Sequence, residues 1–139
     1  MEFETVVDIA APADRVWDVL ADVTTWSSWT DSVSSSTVLS GDPLGNGSRV
    51  KVHQPRMPAN TWTITGWEPG RRFTWEITRP GLHVVADHVI EAVPAGSRVT
   101  LSLESSGALA PVVDIFTGSM SRRYVQMEAS GLKSASEGS

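Results

Sequence analysis

Near its start the chain alternates apolar and polar residues with a period of two. The alternation recurs in later short stretches, and the period then lengthens to that of a helix. Phe3, Thr5, Val7 and Ile9 fall on one side and Glu4, Val6 and Asp8 on the other, predicting a first strand over residues 3–10. Ala11-Pro12-Ala13 stops it. Pro12 suits a helix entry, and Asp14 puts negative charge in the first turn. Val16, Trp17, Leu20 and Val23 recur at helical spacing, predicting a short amphipathic helix over 12–22. A second short helix is expected over 23–30, with Trp26 and Trp29 three apart on one face.

Residues 32–38 contain only Ser, Thr and Val, a composition that favours a strand or extended edge. A dense turn signal follows at 41–47. Five further strands are expected in meander order. Their inward residues are Val50 and Val52, then Trp62 and Ile64, then Phe73, Trp75 and Ile77. The last two sets are Val84, Ala86, His88, Ile90 and Ala92, and Val99, Leu101 and Leu103. Proline and glycine turns separate these stretches, at Pro55 to Pro58, Glu68 to Arg71, Pro80-Gly81 and Pro94 to Gly96. From about Ala108 to Ser134 the period is helical, and Val113, Phe116, Met120, Tyr124 and Met127 mark the expected apolar stripe. The predicted class is α+β: a curved seven-stranded antiparallel sheet wrapped around a long C-terminal helix, with two short helices between strands 1 and 2. A single helix cannot fill such a concavity, so bulky side chains or a ligand cavity must occupy the rest.

Composition narrows the chemistry. With 139 residues the chain suits one domain. Cysteine is absent, which excludes disulfide scaffolds, thiolate metal sites and a cysteine nucleophile. Sixteen acids against eleven bases give a net charge of −5, which disfavours nucleic acid as a partner. No apolar run approaches the ~20 residues of a membrane span. Met1 leads straight into Glu2 and Glu4 rather than a basic, apolar leader, so the cytoplasm is the default location. Six Trp outnumber three Phe and one Tyr, rings suited to a core that also shapes a cavity.

The layout resembles the START-like superfamily, also called SRPBCC or helix-grip, and more closely its polyketide cyclase/dehydrase branch. Five stretches carry the resemblance. They are the opening strand running into Ala11-Pro12-Ala13-Asp14-Arg15-Val16-Trp17-Asp18-Val19-Leu20, Thr25-Trp26-Ser27-Ser28-Trp29, and Gly45-Asn46-Gly47-Ser48-Arg49-Val50. The others are Trp67-Glu68-Pro69-Gly70-Arg71-Arg72-Phe73-Thr74-Trp75, and His88 with Gly96-Ser97-Arg98-Val99-Thr100-Leu101 after it. The resemblance implies one such domain over 1–134, and the polar residues 135–139 after it read as a tail. It also implies a deep, mostly apolar cavity between the long helix and the sheet. It brings no universal catalytic motif.

His88 shares its face with Ala86 and Ile90, so it is expected to look inward, as a ligand contact, an acid/base group, or a core histidine satisfied by a neighbour. Tyr124 lies on the helical stripe, with its hydroxyl either reaching the cavity or packed against backbone. His88 and Tyr124 are the catalytic candidates. The expected cavity lining is Trp29, Val52, Gln54, Trp62, Trp75, His88, Ile90, Phe116, Met120 and Tyr124. Trp17 and Trp26 read as structural. Arg56 and Met57 sit in a loop that either gates the cavity mouth or forms a rigid turn. His53 shares a face with Arg49 and Lys51 and should meet solvent, while His83 belongs near a strand start. No zinc spacing, nucleophile elbow, Walker loop or dinucleotide fingerprint is present, so neither metal nor cofactor is expected.

Three readings follow. One is a binder of a small hydrophobic molecule, lipid-like or polyketide-like. The second is a cyclase, aromatase or dehydratase using the same cavity with His88 as acid or base. The third is an interaction module whose cavity its own Trp rings have collapsed. A homodimer is among the partners the sequence allows.

Overall fold

The computed structural model of the chain describes residues 1–138. Strand β1 (Glu2–Ile9) leads into α1 (Ala13–Ala21) and a 3₁₀ helix (Val23–Ser28). Six strands follow: β2 (Ser35–Ser40), β3 (Arg49–His53), β4 (Asn60–Glu68), β5 (Arg72–Arg79), β6 (Leu82–Val93) and β7 (Gly96–Ser106). Helix α2 (Ala110–Glu137) closes the chain. The spatial order is β1-β7-β6-β5-β4-β3-β2, and every pairing is antiparallel. Strands β2 to β7 therefore form the expected meander. Strand β1 joins its far edge, and α1 with the 3₁₀ helix carries the chain from one edge to the other.

The period-two pattern explains what each strand buries. Val50 and Val52 in β3, Phe73, Trp75 and Ile77 in β5, and Val99 and Leu101 in β7 are all buried. Strand β4 departs from strict alternation. Its register shifts between Ile64 and Gly66, so Ile64 pairs with Trp75 and Trp67 pairs with Phe73. The extra residue turns Trp67 back to the inner face. There it meets Trp17 edge-on, with ring centroids 5.0 Å apart, and Phe73 at 5.6 Å.

Helix α2 is held unevenly. At its C-terminal end Leu132, Ala129 and Ser136 are buried. Arg15 donates to the carbonyls of Ala135 and Ser136, Lys133 donates to Asp8 O, and the Glu137 carboxylate accepts from Ala10 N–H. These contacts carry the helix through Ser134 to Glu137, so 135–137 are helical rather than a polar tail; Ser139 lies outside the described residues. Near the other end the Asp114 carboxylate accepts from Ser105 and pairs with the Met1 ammonium at 2.9 Å. Between Ala110 and Ala129 the only fully buried residue is Gly118. The middle of the helix thus bridges the concave sheet with few packing contacts, Gly118 lying against Met1 and Val125 against the core. Among the described residues no helix is long and apolar enough to cross a membrane.

Candidate functional site

The unfilled space under that bridge is a cavity of about 300 Å³. Small side chains on facing elements create it: Ala86 on β6, and Thr117 and Ser121 on α2. Its walls are largely apolar, built from Trp26, Val52, Trp62, Trp75, Ile77 and Leu101 among others. An interior collapsed by Trp rings is therefore not what forms. Trp62 and Trp75 lie nearly parallel, 5.5 Å apart and inclined at 26°, which lays them along the wall instead of across the space.

The inner end of the cavity is built around His88. His88 is 3% exposed. Its ring stacks on Phe73 at 4.0 Å, with Trp26 and Trp75 edge-on at 5.7 Å. Nδ1 lies 3.0 Å from the Phe73 carbonyl oxygen. A carbonyl only accepts, so Nδ1 carries the hydrogen and donates. Nε2 then faces Glu128 Oε1, 3.3 Å away on α2. That approach is off the hydrogen-bond direction, and Oε1 is buried without a hydrogen-bond partner.

The expected lining divides into two groups. Val52, Gln54, Trp62, Trp75, His88 and Tyr124 border the cavity. Trp29, Ile90, Phe116 and Met120 do not. Trp29 packs behind Trp26, at 5.5 Å, with its carbonyl and ring against Gly131 of α2. Trp26 takes the inward place, anchored by its indole N–H donating to Leu20 O at 2.9 Å. Ile90 is buried core beyond His88, where α1 covers the sheet. Phe116 points to solvent at 78% exposure, beside Ile115 at 79%. The phase of α2 explains this. Val113, Thr117, Ser121, Tyr124, Val125 and Glu128 face the cavity, a stripe half of which is Thr, Ser and Glu and which an apolar count does not register.

Tyr124 borders the cavity with its ring, but its hydroxyl donates to the Pro55 carbonyl. It ties α2 to the loop between β3 and β4, in which Met57 and Pro58 also border the cavity. That loop turns tightly, with Met57 N–H donating to Gln54 O and Arg56 at a φ of 65°. His53 is exposed and His83 faces outward, paired with Glu76 at 2.5 Å. Hydrogen bonds from Thr65 and then His83 hold the Glu76 carboxyl below its ordinary value. Behind His88, on the outer face, Arg72 grips Asp87 through two hydrogen bonds of 3.0 and 2.7 Å, and Thr74 adds a third. Partial burial pushes the Asp87 carboxyl up, but these donors outweigh it and hold it below its ordinary value of 3.8.

The sequence reading left Ile77, Leu101, Thr117, Ser121 and Glu128 out of the lining, and it took Trp26, which borders the cavity, as structural; Glu128 was the least visible of them. A lone acid on a polar helix face carries no local signal. Only the register that sets α2 across β6 brings it to His88.

Comparison with known proteins agrees with this architecture. A curated Mycobacterium tuberculosis relative, itself described as uncharacterized, is 25% identical over 120 residues, covering 82% of this chain and 72% of its own. The crystal structure of the Zhui aromatase/cyclase from Streptomyces sp. R1128 superposes with a TM-score of 0.70 at 23% identity, covering 99% of this chain and 92% of that one. A START superfamily protein from Mycobacterium smegmatis gives a TM-score of 0.76 at 13% identity, covering 98% and 97%. These likenesses establish the helix-grip fold. The family model described as polyketide cyclase / dehydrase and lipid transport matches residues 1–137, and the chain belongs to that family.

Proposed function

We propose that this protein binds a small, largely apolar molecule in the cavity between α2 and the sheet, with a hydrogen-bond donor of the ligand meeting Glu128 at the inner end. The observation that carries this reading is the open cavity of about 300 Å³, with apolar walls and one buried, unpartnered carboxylate oxygen. A volume of this size is at the lower end for sites that enclose small molecules. Each 100 Å² of apolar ligand surface removed from water contributes about 2.5 kcal/mol before the cost of association. An unmatched buried acceptor costs about 1–3 kcal/mol, which a ligand hydroxyl relieves. The family's description as cyclases, dehydrases and lipid transporters fits a cavity of this kind.

The test is titration of the intrinsic Trp fluorescence with naphthols and with the matched methoxynaphthalenes. Trp26, Trp62 and Trp75 border the cavity and report its filling. Saturable binding of the naphthol, weakened in the methoxy analogue and in Glu128→Leu, is expected. No saturable response to either compound overturns the reading.

One observation favours a second reading, acid/base catalysis on a poly-carbonyl chain. It is the approach of His88 Nε2 to Glu128 at 3.3 Å, beside the space where a substrate would lie. His88 would take or give the proton, Glu128 would balance its charge, and the walls would fix the chain's fold. Turnover of a polyketide substrate that is unchanged in His88→Ala refutes it.

A further inference from the structure

The outer end of the same cavity differs in kind from the inner end. On β5 the inward residues run Phe73, Trp75 and Ile77, and alternation makes Arg79 the next in the series. Arg79 borders the cavity, as do Asn60, Leu82, Met57 and Pro58 around it. His88, Trp26 and Leu101 at the inner end are buried, whereas Arg79 is exposed, so the mouth lies at Arg79. The register pairs Phe73 with His88 and Arg79 with Leu82. Six residues of strand therefore separate the two ends, roughly 20 Å at about 3.3 Å per residue.

Arg79 is the one cation among the residues that border the cavity. Among the described residues no carboxylate lies within ion-pair distance of it. Arg72 and Arg98, by contrast, are each clasped by an aspartate on the outer face. The guanidinium is held by donating to the Asn60 side-chain oxygen at 2.7 Å, and Asn60 itself borders the cavity. One of its nitrogens is thus fixed, while the other donors remain for an incoming group. A planar guanidinium matches a carboxylate with two parallel hydrogen bonds. The chain as a whole carries a charge of −5 and repels anions, so a local cation at the entrance decides which anion is accepted.

We infer that Arg79 is a specificity residue that selects ligands carrying a carboxylate at the end left at the cavity mouth, with the apolar body inserted toward His88. This rests on the cavity-binding reading above and names the class of ligand for that site. A single cation with no second partner suits one monoanionic group.

The experiment compares dodecanoate with methyl dodecanoate, by calorimetric titration and Trp fluorescence, on wild type, Arg79→Gln and Arg79→Lys. Wild type is expected to bind the acid at least about fivefold tighter than the ester, the scale of one partly exposed ion pair. Arg79→Gln is expected to bring the two within about twofold by weakening the acid alone, and Arg79→Lys to retain most of the preference. Added salt should shrink the wild-type preference and leave ester binding unchanged. If the ester binds as tightly as the acid, or Arg79→Gln weakens both equally, the inference about Arg79 is overturned and the cavity reading stands. If neither compound binds, and the naphthols of the preceding test do not bind either, the cavity reading itself fails.

Discussion

Ala86→Leu separates the cavity's role in binding from its role in stability. Ala86 borders the cavity and pairs across the sheet with Trp75 on one side and Leu103 on the other. Leucine adds three carbon atoms at this point, directed into open space. At about 0.8 kcal/mol per buried CH₂ the upper limit of the gain is roughly 2.4 kcal/mol. Some of that is lost to side-chain ordering and to adjustment of the neighbouring rings, so a net gain of about 1 kcal/mol is expected. The melting temperature of a chain this long should then rise by roughly 3–5 °C. Counting each carbon at about the 30 Å³ of a water molecule, the leucine removes roughly 90 Å³. That is close to a third of the 300 Å³ available, and binding should fall by at least about tenfold. Thermal unfolding followed by circular dichroism, with naphthol titration on the same sample, reads both quantities. Destabilisation beyond about 2 kcal/mol would mean that the space is already packed. A stable variant that still binds like wild type would mean that the ligand sits elsewhere.

Gly131→Ala tests the seat of α2. Helix propensity alone predicts a gain of about 1 kcal/mol, but a Cβ at this position would collide with the Trp29 carbonyl, so a loss of about 1–3 kcal/mol is expected in chemical denaturation. Phe116→Ser, at a side chain 78% exposed, should change stability by less than about 0.5 kcal/mol and leave naphthol affinity unaltered; a large loss of affinity would put Phe116 back in the cavity. Asp87→Asn should cost about 1–3 kcal/mol at neutral pH, because it breaks the charge-assisted bonds from Arg72 and Thr74. The Asp87 carboxyl is held below its ordinary value of 3.8 in the folded state, so its contribution is fully present above that value and is lost as pH falls through the depressed one. The variant should therefore show a shallower loss of stability below about pH 4 than wild type, and parallel acid limbs would refute the assignment.

The sheet was legible in the sequence because one of its faces is buried, and a one-residue slip would turn Val50, Phe73 or Val99 to solvent. Inward direction followed from alternation, and that alone placed Val52, Trp62, Trp75 and His88 beside the cavity. The bulge in β4 broke the rule at one point, where alternation from Trp62 and Ile64 would have turned Trp67 outward. Helix α2 was the element whose facing residues could not be read. Apolar periodicity identifies the face of a helix only when that face is packed. Over its middle, α2 borders a void along much of its inner face, so Thr117, Ser121 and Glu128 stand there while Ile115 and Phe116 lie outside. The cavity against α2 weakens its hydrophobic pattern in this way. The mismatch between the apolar stripe of α2 and its facing residues is therefore informative. Where an amphipathic helix must close a sheet but its best apolar stripe includes exposed rings, the polar residues of the opposite phase are the ones to suspect of touching a ligand. Glu128 fits that rule, since it is the carboxylate of that phase and it stands 3.3 Å from the one buried histidine.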